Sequence, residues 1–161
     1  MNDFTETTEH NNASFAYEYT QKTLEKVNKG IDALTTKLGG ALAFSGVLLK
    51  FTETLPNAGW LVWLKIAVCF FLTVAIASCG LGLSPVNTGE VVDPESFLDP
   101  TIYRLPDEEC KLFTMRQALQ GISELDQVIK DKQEHLNVAI TLIVLSAIGI
   151  ALSISANSLE I

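Results

Sequence analysis

The sequence predicts an all-α integral membrane protein with three transmembrane helices and a cytoplasmic helical stalk. Three observations predict it. No ionisable side chain occurs in the 24 residues from Leu136 to Leu159; a second block, Trp60 to Leu83, carries only Lys65; and the charged stretches leading into the spans show apolar residues at alternating three- and four-residue spacing. With 161 residues the chain has room for one domain of ordinary size. Its 48% share of hydrophobic residues is ordinary too, yet mean hydropathy is +0.28, because those residues come in blocks.

Residues 1–13 are polar and acidic, so they are expected to be disordered and to hold neither a cleavable signal peptide nor a basic transit peptide. Residues 14–36 follow as a cytoplasmic amphipathic helix. Its stripe is Tyr17, Thr20, Leu24, Val27, Ile31 and Leu34, running on to Leu38. The first span, about 37–55, is the shortest. Only 12 uncharged residues separate Lys37 from Lys50, so it crosses only if both lysines snorkel outward from opposite ends. An interfacial or re-entrant helix is the alternative.

Pro56-Asn57-Ala58-Gly59 reads as a tight turn that closes a membrane hairpin over 37–84. The second span, about 60–83, starts with Trp60, Trp63 and Lys65, an aromatic and basic anchor at headgroup level. Lys65 facing a polar cavity is the other possibility. Residues 85–106 hold an acidic, proline-rich linker, in which Phe97, Leu98, Ile102 and Tyr103 are placed to pin it to the stalk or to serve as a strap for a partner.

Asp107-Glu108-Glu109 after Pro106 marks a helix start, with acids on the positive end of the helix dipole. The cytoplasmic helix 107–135 carries a second stripe of Leu112, Met115, Leu119, Ile122, Leu125 and Ile129, and leads into the last span, 136–158. Gly121 and Gly149 are the only breakers before Ser155, so one helix of roughly 45–50 residues, near 70 Å long, is expected. Such stripes belong to helices that pair within one chain or between subunits.

Nine of the eleven basic residues fall on one side of this three-span arrangement, which makes that side cytoplasmic, with the N-terminus inside and the C-terminus outside. The formal net charge of −8 gathers on the same side, chiefly in 85–135, which weighs against a polybasic clamp on anionic lipid. An acidic chain is also unsuited to nucleic acid. Three cysteines without CxxC spacing and two histidines make neither a disulfide framework nor a zinc site. No GxSxG or GxGxxG occurs, and Gly80-Leu81-Gly82 lacks the third glycine. His10 and His135 sit in the polar N-terminus and at the membrane boundary. No catalytic, cofactor-binding or metal residue is expected, and the chain does not read as an enzyme.

The spans do carry small residues four apart, which let membrane helices approach closely. The pairs are Gly39/Ala43, Ala75/Cys79, Ser78/Gly82, Ala147/Ala151 and Gly149/Ser153, with Gly46 beside the first. Ser45, Thr73, Ser78, Ser146 and Ser153 either line a polar path or bond to their own helix backbone.

The order of parts resembles that of a known group. Lys37-Leu38-Gly39-Gly40 through Ser45-Gly46 opens a glycine-containing first span, and Ala77-Ser78 to Pro85 closes the second. An acidic proline-rich loop and the long helix LQGISELDQVIKDKQEHLNVAITLI follow. Over about residues 30–157 this layout resembles the Pycsar transmembrane effectors of bacterial antiphage systems and, more loosely, SLATT-type domains. The resemblance implies a small multi-span effector in the bacterial inner membrane that impairs the bilayer once a cyclic nucleotide activates it; a protein activator of the cytoplasmic part is the other expectation, and the stripes and small-residue pairs point to a homo-oligomer. No motif in this chain receives the family's nucleotide-binding residues. The alternative is a structural or adaptor subunit that anchors partners through residues 14–36 and 107–135.

Overall fold

The computed structural model describes residues 3–55, 59–85 and 106–159. Among them every element is helical: α1 (Asp3–Phe51), a 3-10 turn (Thr52–Thr54), α2 (Leu61–Leu83) and α3 (Asp107–Leu159). The all-α reading therefore holds. α2 and the apolar part of α3 are each long and apolar enough to cross a membrane. α1 is not among the helices that meet that measure, and Lys37 and Lys50 bound its apolar stretch.

The helix boundaries differ from expectation at one end. α1 begins at Asp3, inside the stretch expected to be disordered. No glycine or proline interrupts the chain before Gly30, so nothing stops the helix from propagating towards the N-terminus. The linker at 86–105, with Phe97, Leu98, Ile102 and Tyr103, and the Pro56–Ala58 part of the turn lie outside the described residues. Gly59 has φ +56°, a left-handed conformation that glycine adopts without a Cβ clash, and α2 starts two residues later.

The chain divides into two compact units. The first takes α1 up to Ile31 and α3 up to Ile129; the second takes Asp32–Pro85 and α3 from Lys130 onward. In the first unit, Gly30 of α1 faces the Ile129 side chain, with room for a methyl group at ordinary contact distance (3.5 Å). In the second, Leu38, Cys79, Leu136 and Ala139 form a core cluster joined by Leu34, Ala41, Leu42 and Leu83.

Within the second unit α2 and α3 run antiparallel. A Cβ on Gly149 would lie 2.7 Å from Val68 Cγ2, and one on Gly82 would lie 3.1 Å from His135 Cβ. These two contacts are fourteen residues apart on each helix, two turns of a seven-residue repeat, so the helices keep one register over roughly 20 Å. A side chain at Gly149 needs Val68 to shift, and one at Gly82 is tight against both His135 and the end of the Leu38 side chain.

Candidate functional site

The interior of the second unit is set by residues seven apart. On α1 and its 3-10 extension they are Leu38, Ser45 and Thr52; on α2, Leu61, Val68, Ala75 and Gly82; on α3, Lys132, Ala139, Ser146 and Ser153. All are buried, and a companion row of Leu72 and Cys79 on α2, with Leu136 and Ile143 on α3, fills the gaps. Large apolar side chains lie on the opposite faces instead: Phe44, Phe51, Ile66, Phe70, Ile148 and Leu152 are all exposed. Hydroxyls and small residues thus sit inside among Leu38, Leu61, Val68, Leu72, Leu136 and Ile143, while further phenylalanine, isoleucine and leucine side chains cover the outside.

Ser45 and Ser146 are fully buried and donate to carbonyls one turn back, Ala41 O at 2.8 Å and Leu142 O at 2.8 Å. Ser153 is equally buried, and its Oγ has no hydrogen-bond partner. Thr73, by contrast, is exposed and bonds to its own helix at Cys69 O. Of the five hydroxyls read from the sequence, four are brought inward and Thr73 is not.

A lysine closes each end of this seam. Lys132 is only 8% exposed and its ammonium donates to Gly82 O at 2.6 Å. Gly82 lies in the last turn of α2, where carbonyls lack a partner within the helix, so the lysine caps the helix and meets the negative end of its dipole. Beside it, Ser78 Oγ donates to His135 O at 3.1 Å and lies 3.4 Å from His135 Nδ1. At the other end Lys65, half-buried, donates to Leu55 O at 3.3 Å, while Cys69 Sγ reaches Thr52 Oγ1 at 3.4 Å. Lys65 therefore turns towards the α1 terminus. A cleft of about 470 Å³ opens beside the Lys132 end, walled by Val74, Ala77, Leu81 and Val138 and edged by Ser78, Asp131, Glu134 and His135.

Lys132 is the residue that sequence reasoning missed. It reads there as one of several cytoplasmic charges. The signal lay in its phase: it stands seven residues before Ala139 and four before Leu136, on the face that carries the seam.

The predicted packing residues divide. Ala75, Cys79, Gly149 and Ser153 are buried in the interface, and Gly39 is half-buried with open space at its Cβ position. Ala43, Gly46, Ala147 and Ala151 face outward. Of the anchors, Lys37, Lys50, Trp60 and Trp63 are exposed, and Lys50 pairs with Glu53.

In the first unit Thr20 and Val128 are buried, and Leu24, Val27, Ile31, Met115, Ile122, Leu125 and Ile129 are half-buried along the same faces. Leu34, in the second unit, is half-buried as well. Leu112 and Leu119 do not join it: they are 42% and 52% exposed. The inward rows of α3 run through Met115, Ile122 and Ile129 and through Ala118 and Leu125, which leaves Leu112 and Leu119 outward. Phe15 and Tyr19 on α1 are exposed as well. Hydrogen bonding to Asp107 holds the Lys111 ammonium above the ordinary lysine value against some desolvation, with smaller contributions from the charges of Asp107, Glu108 and Tyr17. Lys29 bonds to Glu25 in the same i,i+4 manner, which lowers the carboxyl and raises the amine.

No group of three metal-ligating side chains occurs among the described residues. No family model, curated protein or solved structure matches the chain.

Proposed function

We propose that the chain is a small three-span effector of the bacterial inner membrane. It permeabilises the bilayer when its cytoplasmic helices are engaged by an activator, a cyclic nucleotide or a protein, as the resemblance to Pycsar-type effectors implies. One observation carries the reading. The second unit has an apolar exterior wrapped around a hydroxyl-bearing interior with a lysine at each end, an arrangement suited to lipid outside and polar species inside. α1 supplies the third crossing, with Lys37 and exposed Lys50 snorkelling from its two ends and Phe44, Val47 and Phe51 towards lipid. The basic-residue distribution supports an N-terminus inside and a C-terminus outside.

Induction in cells tests the function. Membrane potential collapses, as read by a potential-sensitive dye, and an unchanged potential under strong induction defeats the proposal. A topology reporter fused after Ile161 reports from outside the cell; a cytoplasmic reporter refutes the third span.

The exposed Leu112 and Leu119, with Phe15 and Tyr19, support a second reading, a structural or adaptor subunit that binds protein partners or further copies of itself through the first unit. In that case a stoichiometric membrane complex co-purifies and is lost in Leu119→Asp while insertion persists.

A further inference from the structure

We propose that the buried seam of the second unit is a closed pathway for monovalent cations, plugged at its two ends by the chain's own ammonium groups, Lys132 on the Gly82 carbonyl and Lys65 on the Leu55 carbonyl. This rests on the effector reading and gives it a permeant species.

The polar positions of the lining, set among the apolar Leu38, Leu72, Leu136 and Ile143, select the sign. Ser45 and Ser146 spend their hydrogens on Ala41 O and Leu142 O, so what they offer the interior is oxygen lone pairs. Lone pairs replace the hydration shell of a cation; an anion needs donors, and these hydroxyls have none left. Ser153 points to what the closed form lacks. Its Oγ is fully buried without a partner, an unfavourable state that is relieved when water or a hydrated ion stands beside it.

The ends carry the second part of the argument. A helix C-terminus with a free carbonyl attracts cations, and at Gly82 that place is taken by Lys132. Lys65 occupies a carbonyl at the opposite end, seventeen residues away along α2, or about 25 Å, close to the hydrocarbon thickness of a bilayer. Between them the seam rows hold no other charged side chain. Each lysine thus stands as a tethered cation where a free one would enter, and withdrawal of Lys132 opens the cytoplasmic mouth.

The full chain reconstituted in phosphatidylethanolamine–phosphatidylglycerol vesicles loaded with potassium and a trapped anionic dye provides the test. Lys132→Met, which keeps the stem and removes the charge, speeds potassium efflux by about tenfold or more, equivalent to a barrier lower by about 1.4 kcal/mol. The dye stays inside. Adding Ser45→Ala, Ser146→Ala and Ser153→Ala, which remove the oxygens with little change in volume, returns efflux to the wild-type rate. Efflux from an inserted, helical Lys132→Met no faster than wild type overturns the proposal, and so does a leak that persists in the alanine variant. Dye escaping together with potassium also overturns it, while leaving the effector reading in place. If Lys132→Met does not insert, the triple alanine variant with Lys132 intact decides in cells: its induction leaves the membrane polarised where wild type depolarises. Depolarisation undiminished by the three alanines rejects the pathway alone, whereas no depolarisation by wild type rejects the effector reading beneath it.

Discussion

The same two helices contribute to both units, yet they bury very different amounts in each. In the first unit Thr20 and Val128 are the buried positions among the described residues, and most of the two stripes is only half covered. In the second, Leu38, Ser45, Leu72, Ala75, Cys79, Ala139, Ser146 and Ser153 are fully enclosed, with two glycine seats locking α2 to α3. Sparse burial leaves a helix pair with a small free energy of local opening, and dense burial ties opening to global unfolding. The lesson is that a continuous helix need not be uniformly stable. One part can be available to a partner while the other stays fixed.

The sharpest way to break the contrast is to enter a glycine seat. Gly149→Ala forces its methyl onto Val68 Cγ2, and Val68 is a buried, β-branched side chain with little freedom to turn away. The expected loss is about 1–3 kcal/mol in unfolding from detergent. Val68→Ala in the same chain restores most of it, because the clash rather than the alanine is at fault. Failure of the second change to rescue the first refutes the close approach.

Hydrogen exchange sharpens the comparison directly. Amides in 14–31 and 107–129 exchange at least about tenfold faster than those in 65–79 and 136–150, a difference of about 1.4 kcal/mol or more in opening free energy. Equal protection removes the distinction. Ser78→Ala, which deletes the bond to His135 O, is smaller, about 0.6 kcal/mol, the usual worth of a hydroxyl bridge between membrane helices.

The least effect comes from pH on the first unit. The Glu25 carboxyl is lowered by Lys29, so its support is complete above the ordinary carboxylate range and disappears as pH falls through the lowered value. Lys29 and Lys111 are raised, so theirs is present below the ordinary lysine range and is lost as pH rises through the raised values. The Lys29–Glu25 pair is exposed and the Lys111–Asp107 pair is open on its Asp107 side, so both are weak. Glu25→Gln removes the acid limb from the exchange of residues 22–31 and leaves the alkaline limb at 107–115.

Much of the fold was legible because charge-free runs and proline are unambiguous. The starts of α2 and α3, at Leu61 and Asp107, fall within one residue of the positions expected from Trp60 and from Pro106. The site was less legible, for a physical reason. In water the inward face announces itself by being apolar, as the stripe from Thr20 to Leu38 does. Inside a bilayer both faces are apolar, and the inward one is marked by the small and hydroxylated positions placed among its leucines. Four-residue spacing alone found Ala75, Cys79, Gly149 and Ser153, but it also selected Ala43, Ala147 and Ala151, because a pair four apart can lie on any side of a helix. Seven-residue phase separates the two sets. The same phase puts Lys132 in the seam, and leaves Leu112 and Leu119 outside the stripe they were assigned to.

Within the second unit that phase is unbroken along α3: positions 132, 139, 146 and 153, and 136 and 143 beside them, are all buried. Inward position is thus a matter of angle, kept by counting residues. A single residue added between Lys132 and Leu136 turns everything beyond it by about 100° relative to what precedes it. An insertion of a full seven restores the angle while adding about 10 Å of length. Deletions and insertions in this helix are therefore tolerated in sevens and punished otherwise, and natural length variation in related chains would be expected to come in that step.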